Sequence, residues 1–360
     1  MLQLFVYNTI MKKIHFFNTI IFCLLFCTVM TSCGTLKSEK KQFSAYSMEY
    51  FDTVITITGF AHSKEEFDTV ANDVLSLLGE YHRLYSIYHR FDGMENLCTI
   101  NELADGEHPT VKVDKRIVDM LLYSKEMYAV TDGMVNIAMG SVLSLWHDYR
   151  EFGMDKPEQA SLPPLERLEE ASLHMDISKL VIDEENCTVK LTDPFMKLDV
   201  GAVAKGYATE CVARYMEEKG IKGYVLNVGG NVRTIGSKPD GTFWNVGLEN
   251  PNGSEYLEYL LLNGQSVVTS GSYQRYYYVN GKAYHHIIHP DTLMPADGYV
   301  SVSVICEDSR LGDALSTALF CMPLEKGIAL VESIPQVEAM WLTDDSVKTV
   351  SSGWDKYVKK

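Results

Sequence analysis

Leu198-Asp199-Val200-Gly201-Ala202-Val203-Ala204-Lys205-Gly206-Tyr207-Ala208 is the stretch on which the reading of this chain turns. Apolar residues from Phe195 to Val200 lead in as a strand, small residues at Gly201, Ala202 and Ala204 allow a tight turn, and a helix is expected over 203–219. A strand that passes at once into a helix aims free N–H groups and the positive end of the helix dipole at whatever lies in front of it, which suits phosphate. The small residues let backbone come close to a ligand, and Lys205 adds a point charge. The stretch matches neither G-x-G-x-x-G nor G-x-x-x-x-G-K-[ST], so Rossmann and P-loop assignments do not apply. Taken alone, a Gly/Ala-rich turn is more often a packing device than a phosphate site.

Outward from this turn, strand and helix signals alternate. Strands are expected over 50–57, 180–182, 188–191, 224–228, 244–248, 266–269, 276–279 and 300–306, where β-branched and aromatic residues concentrate. Helices are expected over 65–85, where Phe67, Val70, Val74, Leu75, Leu78 and Tyr81 recur at helical spacing, and over 115–130, 311–320 and 324–333. Residues 150–172, polar and carrying Pro157, Pro163 and Pro164, read as a surface insertion or loop. No internal repeat of fixed period is visible. The pattern is that of a mixed α/β or α+β chain, and 360 residues with 46% apolar and 22% charged composition can bury a substantial core in one or two domains.

The formal net charge of −16 argues against nucleic acid as a partner, because phosphate backbones need a basic footprint. An acidic protein that takes a polyanionic ligand needs a local cation, which makes a metal site worth seeking. Residues 11–33, MKKIHFFNTIIFCLLFCTVMTSC, read as a secretory leader: Lys12 and Lys13 are its basic start, an apolar run follows, and Met30-Thr31-Ser32-Cys33 resembles a bacterial lipobox. The run is short for a spanning helix. The expectation is a leader at 1–32, an acylated Cys33, a polar tether over 33–45 and a folded domain over 46–350, with Met11 as the start of translation. Loss of 1–32 removes two lysines and no acids, giving 30 − 48 = −18. Among the remaining Cys98, Cys187, Cys211, Cys306 and Cys321 there is no C-x-x-C pair, so neither a zinc ribbon nor a disulfide framework is indicated.

Two further segments carry chemistry. In Leu311-Gly312-Asp313-Ala314-Leu315-Ser316-Thr317-Ala318-Leu319, Asp313 and Thr317 fall one helical turn apart on one face and offer hard oxygen ligands for Mg2+ or Ca2+. A capping acid and a half-buried threonine would give the same pattern. Ser270-Gly271-Ser272-Tyr273-Gln274-Arg275-Tyr276, followed by Tyr284-His285-His286-Ile287-Ile288-His289-Pro290, places Arg275 and histidines near a strand pair. Strand alternation sends His285 and His286 to opposite faces, so one of them at most faces a given site.

Together these segments resemble the FAD:protein FMN transferase (ApbE) family, many members of which are periplasmic lipoproteins. The resemblance runs from about Phe51 to about Met322 and includes Tyr224-Val225-Leu226-Asn227-Val228-Gly229-Gly230-Asn231 and Trp244-Asn245-Val246-Gly247-Leu248. It implies a single flavin-transferase domain, an α+β (mixed α/β), T-fold-like two-layer arrangement with a flavin cleft. It also implies a metal, usually Mg2+ with Ca2+ as the alternative, held by Asp313, Thr317 and the carbonyl of Ala202, with Ser316 assisting. Flavin and nucleotide contacts fall on Tyr88, Met134, Val135, Asn136, Asp199, Lys205 and the backbone near Ile288; His286 helps to deprotonate the acceptor hydroxyl, and Asp313 counts with it among the catalytic residues. The implied activity splits FAD, attaches FMN to a Ser or Thr hydroxyl and releases AMP. The implied acceptor is a membrane redox subunit with a Ser/Thr-Gly-Ala-Thr-like stretch, and Cys33 would hold the enzyme on the periplasmic face of the inner membrane, outer-membrane sorting being the other destination. An FAD pyrophosphatase and a non-catalytic flavin-binding lipoprotein are the competing readings. The chain departs from the family's pattern at His289 and Leu293, where aspartate and glycine are common, at Asn136, where aspartate is common, and at Phe51-Asp52-Thr53, where Met-Gly-Thr is frequent.

Overall fold

The computed structural model describes residues 39–103, 106–251, 253 and 255–360. The leader at 1–32 and Cys33 lie outside the described residues. Among the described residues no helix is long and apolar enough to cross a membrane. One compact unit covers Gln42–Lys360.

The strands are β1 (Lys41–Ser47), β2 (Ile55–Ala61), β3 (Val111–Lys112), β4 (Leu180–Asp183), β5 (Thr188–Leu191), β6 (Tyr224–Val228), β7 (Asn231–Ile235), β8 (Trp244–Glu249), β9 (Tyr256–Leu262), β10 (Ser266–Gly271), β11 (Tyr276–Val279), β12 (Lys282–His285), β13 (Ser301–Cys306), β14 (Glu338–Leu342) and β15 (Lys348–Val350). Eight of them form the main sheet, in the order β1-β2-β6-β7-β10-β13-β14-β15. From β2 to β15 all neighbours pair antiparallel. Val228 pairs with Asn231, so Gly229 and Gly230 alone make the β6–β7 turn. Their φ values of 57° and 89° are those a two-residue turn of matching twist demands, and glycine adopts them without a Cβ penalty.

Helices Lys64–Tyr85, Ala204–Glu218 and Ser309–Cys321 cover one face of this sheet. Lys64–Tyr85 is capped by Ser63, which accepts from Glu66 N at 3.2 Å, and it buries Phe67, Ala71, Val74 and Leu78 on its inner stripe. Over β10, β13 and β14 the opposite face is closed by the β8–β9 hairpin and Trp354, so Val267, Ile305 and Met340 pack there while Val268, Val304 and Trp341 face the helices. That double cover explains why all six residues of β13 are buried. The mixed α/β, single-domain reading therefore holds, with this hairpin added to the two layers. A smaller cluster, Met139, Val142, Trp146, Leu168, Tyr277 and Ile288, joins the Gly140–Asp155 and Leu165–Ser172 helices to β11.

Several local expectations are corrected. Residues 150–172 finish one helix, make a short 3-10 turn at Pro157–Gln159 and form the helix Leu165–Ser172. The prolines sit where helices begin, and at a helix start the missing N–H costs nothing. The lead-in 195–200 is not a ladder strand, having only the Met139–Lys197 bridge. Its backbone is tied instead to Asn101, whose side chain accepts from Leu198 N at 2.7 Å and donates to Leu198 O at 2.9 Å, and to Ile137 O, which accepts from Asp199 N at 2.8 Å. The strand expected over 50–57 starts only at Ile55, because Phe51 and Asp52 take left-handed φ values of 59° and 49°. Strand β1 uses up the last residues of the expected tether.

Candidate active site

A cleft of about 810 Å³ runs between the helix starts of the main sheet and the smaller cluster. Tyr88, Met134, Val135, Asn136, Asp199, Ala202, Lys205, His286, Ile288, Asp313 and Thr317 all line it. Ser316 does not: it is fully buried, donates to Asp313 O at 3.0 Å and lies 2.8 Å from the Ser270 hydroxyl, which itself reaches the cleft. Its part is to hold Ser270 rather than to face a ligand.

Asp313 sits in the first turns of Ser309–Cys321, a helix capped by Asp308, which accepts from Arg310 N at 2.9 Å. The start of that helix is pinned by buried Glu210, which accepts from Ser309 N at 2.9 Å and from Arg233 Nε at 3.1 Å. The Asp313 carboxylate is only 5% exposed and 3.6 Å from Lys205 Nζ. Gly206 N donates to its Oδ2 at 2.7 Å, and Asn231 Nδ2 lies 3.4 Å from Oδ1. A Cβ on Gly206 would overlap Asp313 Cβ and Ser309 O. The sequence suggested that small residues here admit a ligand; at Gly206 the smallness admits the neighbouring helix and its carboxylate.

Burial pushes the Asp313 carboxyl above the ordinary range, against the pull of Lys205 and the Gly206 N–H. Asp199 is raised for the same reason, opposed by the Gly201 N–H, which donates to it at 2.8 Å, and by His147, Arg150 and Lys205. Burial and the charge of Arg275 hold His286 down at about 3, although part of its ring faces the cleft. Its Nδ1 lies 3.2 Å from Arg275 O; a carbonyl only accepts, so the proton is on Nδ1 and Nε2 is a free acceptor. His285 also lines the cleft, with Nε2 donating to Ala296 O at 2.7 Å. Strand β12 ends at His285, so alternation no longer governs His286.

The remaining expected residues divide into a rigid group and an open one. Asn136 is consumed by its own loop, accepting from Ala138 N and donating to Met175 O, each at 2.9 Å. Tyr88 is 53% exposed and offers a ring face. The sequence reading missed Arg150 and His147, which line the cleft from Gly140–Asp155. Buried Val142 and Trp146 in that helix were the available signal, masked by the polar residues that follow. At the departures from the family's pattern, Leu293 keeps a left-handed φ of 59°, and His289 accepts from Asp291 N at 3.1 Å much as an aspartate does.

Among the described residues no group of three His, Cys, Asp or Glu side chains could hold a metal ion. The implied donor set needs only one carboxylate, a hydroxyl and a carbonyl. The desolvated Asp313 and the buried, unpartnered Asn231 Oδ1 beside it make positive charge favourable there, so the residues fit a hard divalent cation.

Fold and site together define a protein that receives an anionic, partly aromatic ligand against a lysine and a buried carboxylate. The profile of the ApbE family matches residues 51–341, and the chain belongs to that family. It is 31% identical over 318 residues to the FAD:protein FMN transferase of Klebsiella pneumoniae, spanning 88% of this chain and 93% of that protein. It is 32% identical over 273 residues to the FAD:protein FMN transferase of Treponema pallidum, with coverage of 71% and 73%. The ApbE protein of Thermotoga maritima superposes with a TM-score of 0.76 at 26% identity, covering 89% of this chain and all of that one. The flavin transferase ApbE of Vibrio cholerae, at 24% identity and a TM-score of 0.72 over 88% of this chain and 99% of its own, shares the fold.

Proposed function

We propose that this chain is an FAD:protein FMN transferase that binds FAD in the 810 Å³ cleft and passes its FMN half to a hydroxyl of an acceptor protein. The observation that carries the reading is the convergence of Asp313, Thr317, Lys205 and the 199–206 turn on one wall of that cleft, in a chain of this family. Lys205 places its ammonium beside the pyrophosphate and screens it from an incoming oxygen. Asp313, Thr317 and the Ala202 carbonyl would hold Mg2+, with Ca2+ as the alternative. When bound, such a cation supplies charge neutralisation at the phosphates and stabilises the AMP leaving group.

Transfer forms one bond, from the acceptor Ser or Thr oxygen to the FMN-side phosphorus, and breaks one, from that phosphorus to the bridging oxygen that leaves with AMP. The free Nε2 of His286 orients the acceptor hydroxyl and takes its proton. As a neutral and weak base it contributes more by position than by proton affinity. A protein acceptor with a Ser/Thr-Gly-Ala-Thr-like segment on a membrane redox subunit suits a lipid-anchored enzyme, with the lipobox cysteine Cys33 as the anchor and the periplasmic face of the inner membrane as the location.

The test mixes the purified chain with FAD, Mg2+ and a small protein bearing Ser-Gly-Ala-Thr, followed by mass spectrometry. The expected outcome is an acceptor mass gain equal to FMN less one water that disappears with chelator and falls on the order of 10³-fold in Asp313→Ala. Release of FMN and AMP without labelling would make it a pyrophosphatase, and FAD binding without cleavage a carrier.

A further inference from the structure

Besides Lys205 and Arg275, the cleft receives a third cationic group, Arg150, from the Gly140–Asp155 helix. Arg150 is 17% exposed, and its Nη2 donates to His147 Nδ1 at 3.0 Å, one turn earlier on the helix. With Nδ1 accepting, His147 carries its proton on Nε2, so the pair has only N–H donors left to offer. The one carboxylate ion-paired with Arg150 among the described residues is Glu151 at 3.2 Å, itself 52% exposed. Asp199 acts on this guanidinium from a distance but does not pair with it, so its remaining N–H groups call for an acceptor from a ligand.

The surroundings indicate which part of a ligand that is. Arg150 acts electrostatically on Tyr88, Asp199, Tyr277 and His286. The charge acting on Asp313 is that of Lys205. Lys205 acts on Asp199 and His286 as well, so the two fields overlap there, and it is the contacts that part them: Lys205 lies 3.6 Å from Asp313, whereas Arg150 is bonded to His147 at 3.0 Å. The His147 ring lies 5.0 Å from the Tyr88 ring at 31°, and Trp146 and Ile288, from the apolar cluster packed on the same helix, line the cleft as well. Aromatic and apolar walls with a few fixed donors suit a flat heteroaromatic ring with carbonyl oxygens, whereas the Lys205 end suits phosphate.

We infer that Arg150 and His147 form a subsite that donates hydrogen bonds to the carbonyl-bearing edge of the flavin ring and so selects the flavin half of the substrate. This rests on the cleft being the FAD site. The pair is a specificity device: it holds the ring in one orientation, which fixes the direction in which the phosphate chain reaches Lys205.

Calorimetric titration of the full chain with FAD, FMN, riboflavin and AMP tests it, in wild type, Arg150→Gln and His147→Gln, with urea melts to confirm folding. Expected are a Kd for riboflavin and FMN about tenfold weaker in Arg150→Gln, in line with loss of a hydrogen bond from a charged donor, a smaller loss in His147→Gln, and an unchanged Kd for AMP. Equal flavin affinity in wild type and both variants overturns the inference, as does equal weakening of AMP. Unchanged flavin binding with a raised KM for the acceptor protein overturns it too and moves the pair to acceptor recognition. Wild type that binds no FAD overturns the reading of the cleft itself, which separates the two failures.

Discussion

The two ends of the cleft are built in different ways. The Asp313 end is assembled from two helix starts packed so closely that a glycine is compulsory between them, with every oxygen of the carboxylate directed by a named donor. The Tyr88–Arg150 end draws on four separated segments, is more open, and carries its charge on long side chains. The difference teaches where precision resides: backbone packed against a carboxylate fixes the Asp313 end, whereas donors on long side chains leave the other end able to adjust.

The largest effect is expected at the tight end. Gly206→Ala must push the Ala204–Glu218 helix away from Asp313 Cβ and Ser309 O, costing about 1–3 kcal/mol in urea unfolding. It should also reduce FMN transfer by at least about tenfold, since displacement of the Gly206 N–H removes a charge-assisted bond to the carboxylate. Full stability and activity in this variant would show that the end is not rigid, and the contrast between the ends would collapse.

His286 lines the cleft beside Arg275 and tests its burial there through pH. Its folded pKa is held down to about 3, below the ordinary imidazole value of 6.5, so its neutral form contributes stability that is complete above 6.5 and is lost as pH falls from there toward about 3. Unfolding of His286→Gln should therefore be less steeply acid-sensitive in that window, while kcat of the parent shows no limb from this group between about pH 5 and 9. Loss of transfer in the variant is expected on the order of 10²-fold. A kinetic limb near 6.5 that disappears with His286 would mean that the ring is solvated and the cleft wetter there than its surroundings indicate.

The smallest effect sharpens the comparison at the rim. Asp52 is exposed at φ 49°, and Asp52→Gly should raise stability by up to about 1 kcal/mol in thermal melts, with little effect on transfer. The bond from Arg275 Nη2 to Asp52 O, at 3.0 Å, uses backbone and survives the change. A loss of stability would show that the carboxylate itself holds the rim.

The tight end was legible because its chemistry is local: Asp313 and Thr317 share a helix face, and Lys205 sits beside Ala202 in one turn. Arg150 and His147 were illegible as site residues because nothing local distinguishes them from a solvated helix face. Only the packing of Trp146, whose Nε1 donates to Leu293 O at 2.9 Å, turns that face toward the cleft. Residues 195–200 misled for a related reason, since apolar alternation says that a segment is buried and extended but not whether a neighbouring strand or an asparagine side chain satisfies its backbone.

The sequence by itself determined the mixed α/β class, the helix stripes, the glycine pair at 229–230 and the residue types at the phosphate end, because periodicity and turn stereochemistry are properties of neighbours along the chain. Tertiary structure alone decided the double cover of β13, the diversion of Gly206 from ligand to helix packing, the neutral state of His286 and the recruitment of Arg150. Each of these depends on burial and charge contributed by other elements of the fold, and desolvation is set by what surrounds a group in space, which no local pattern encodes.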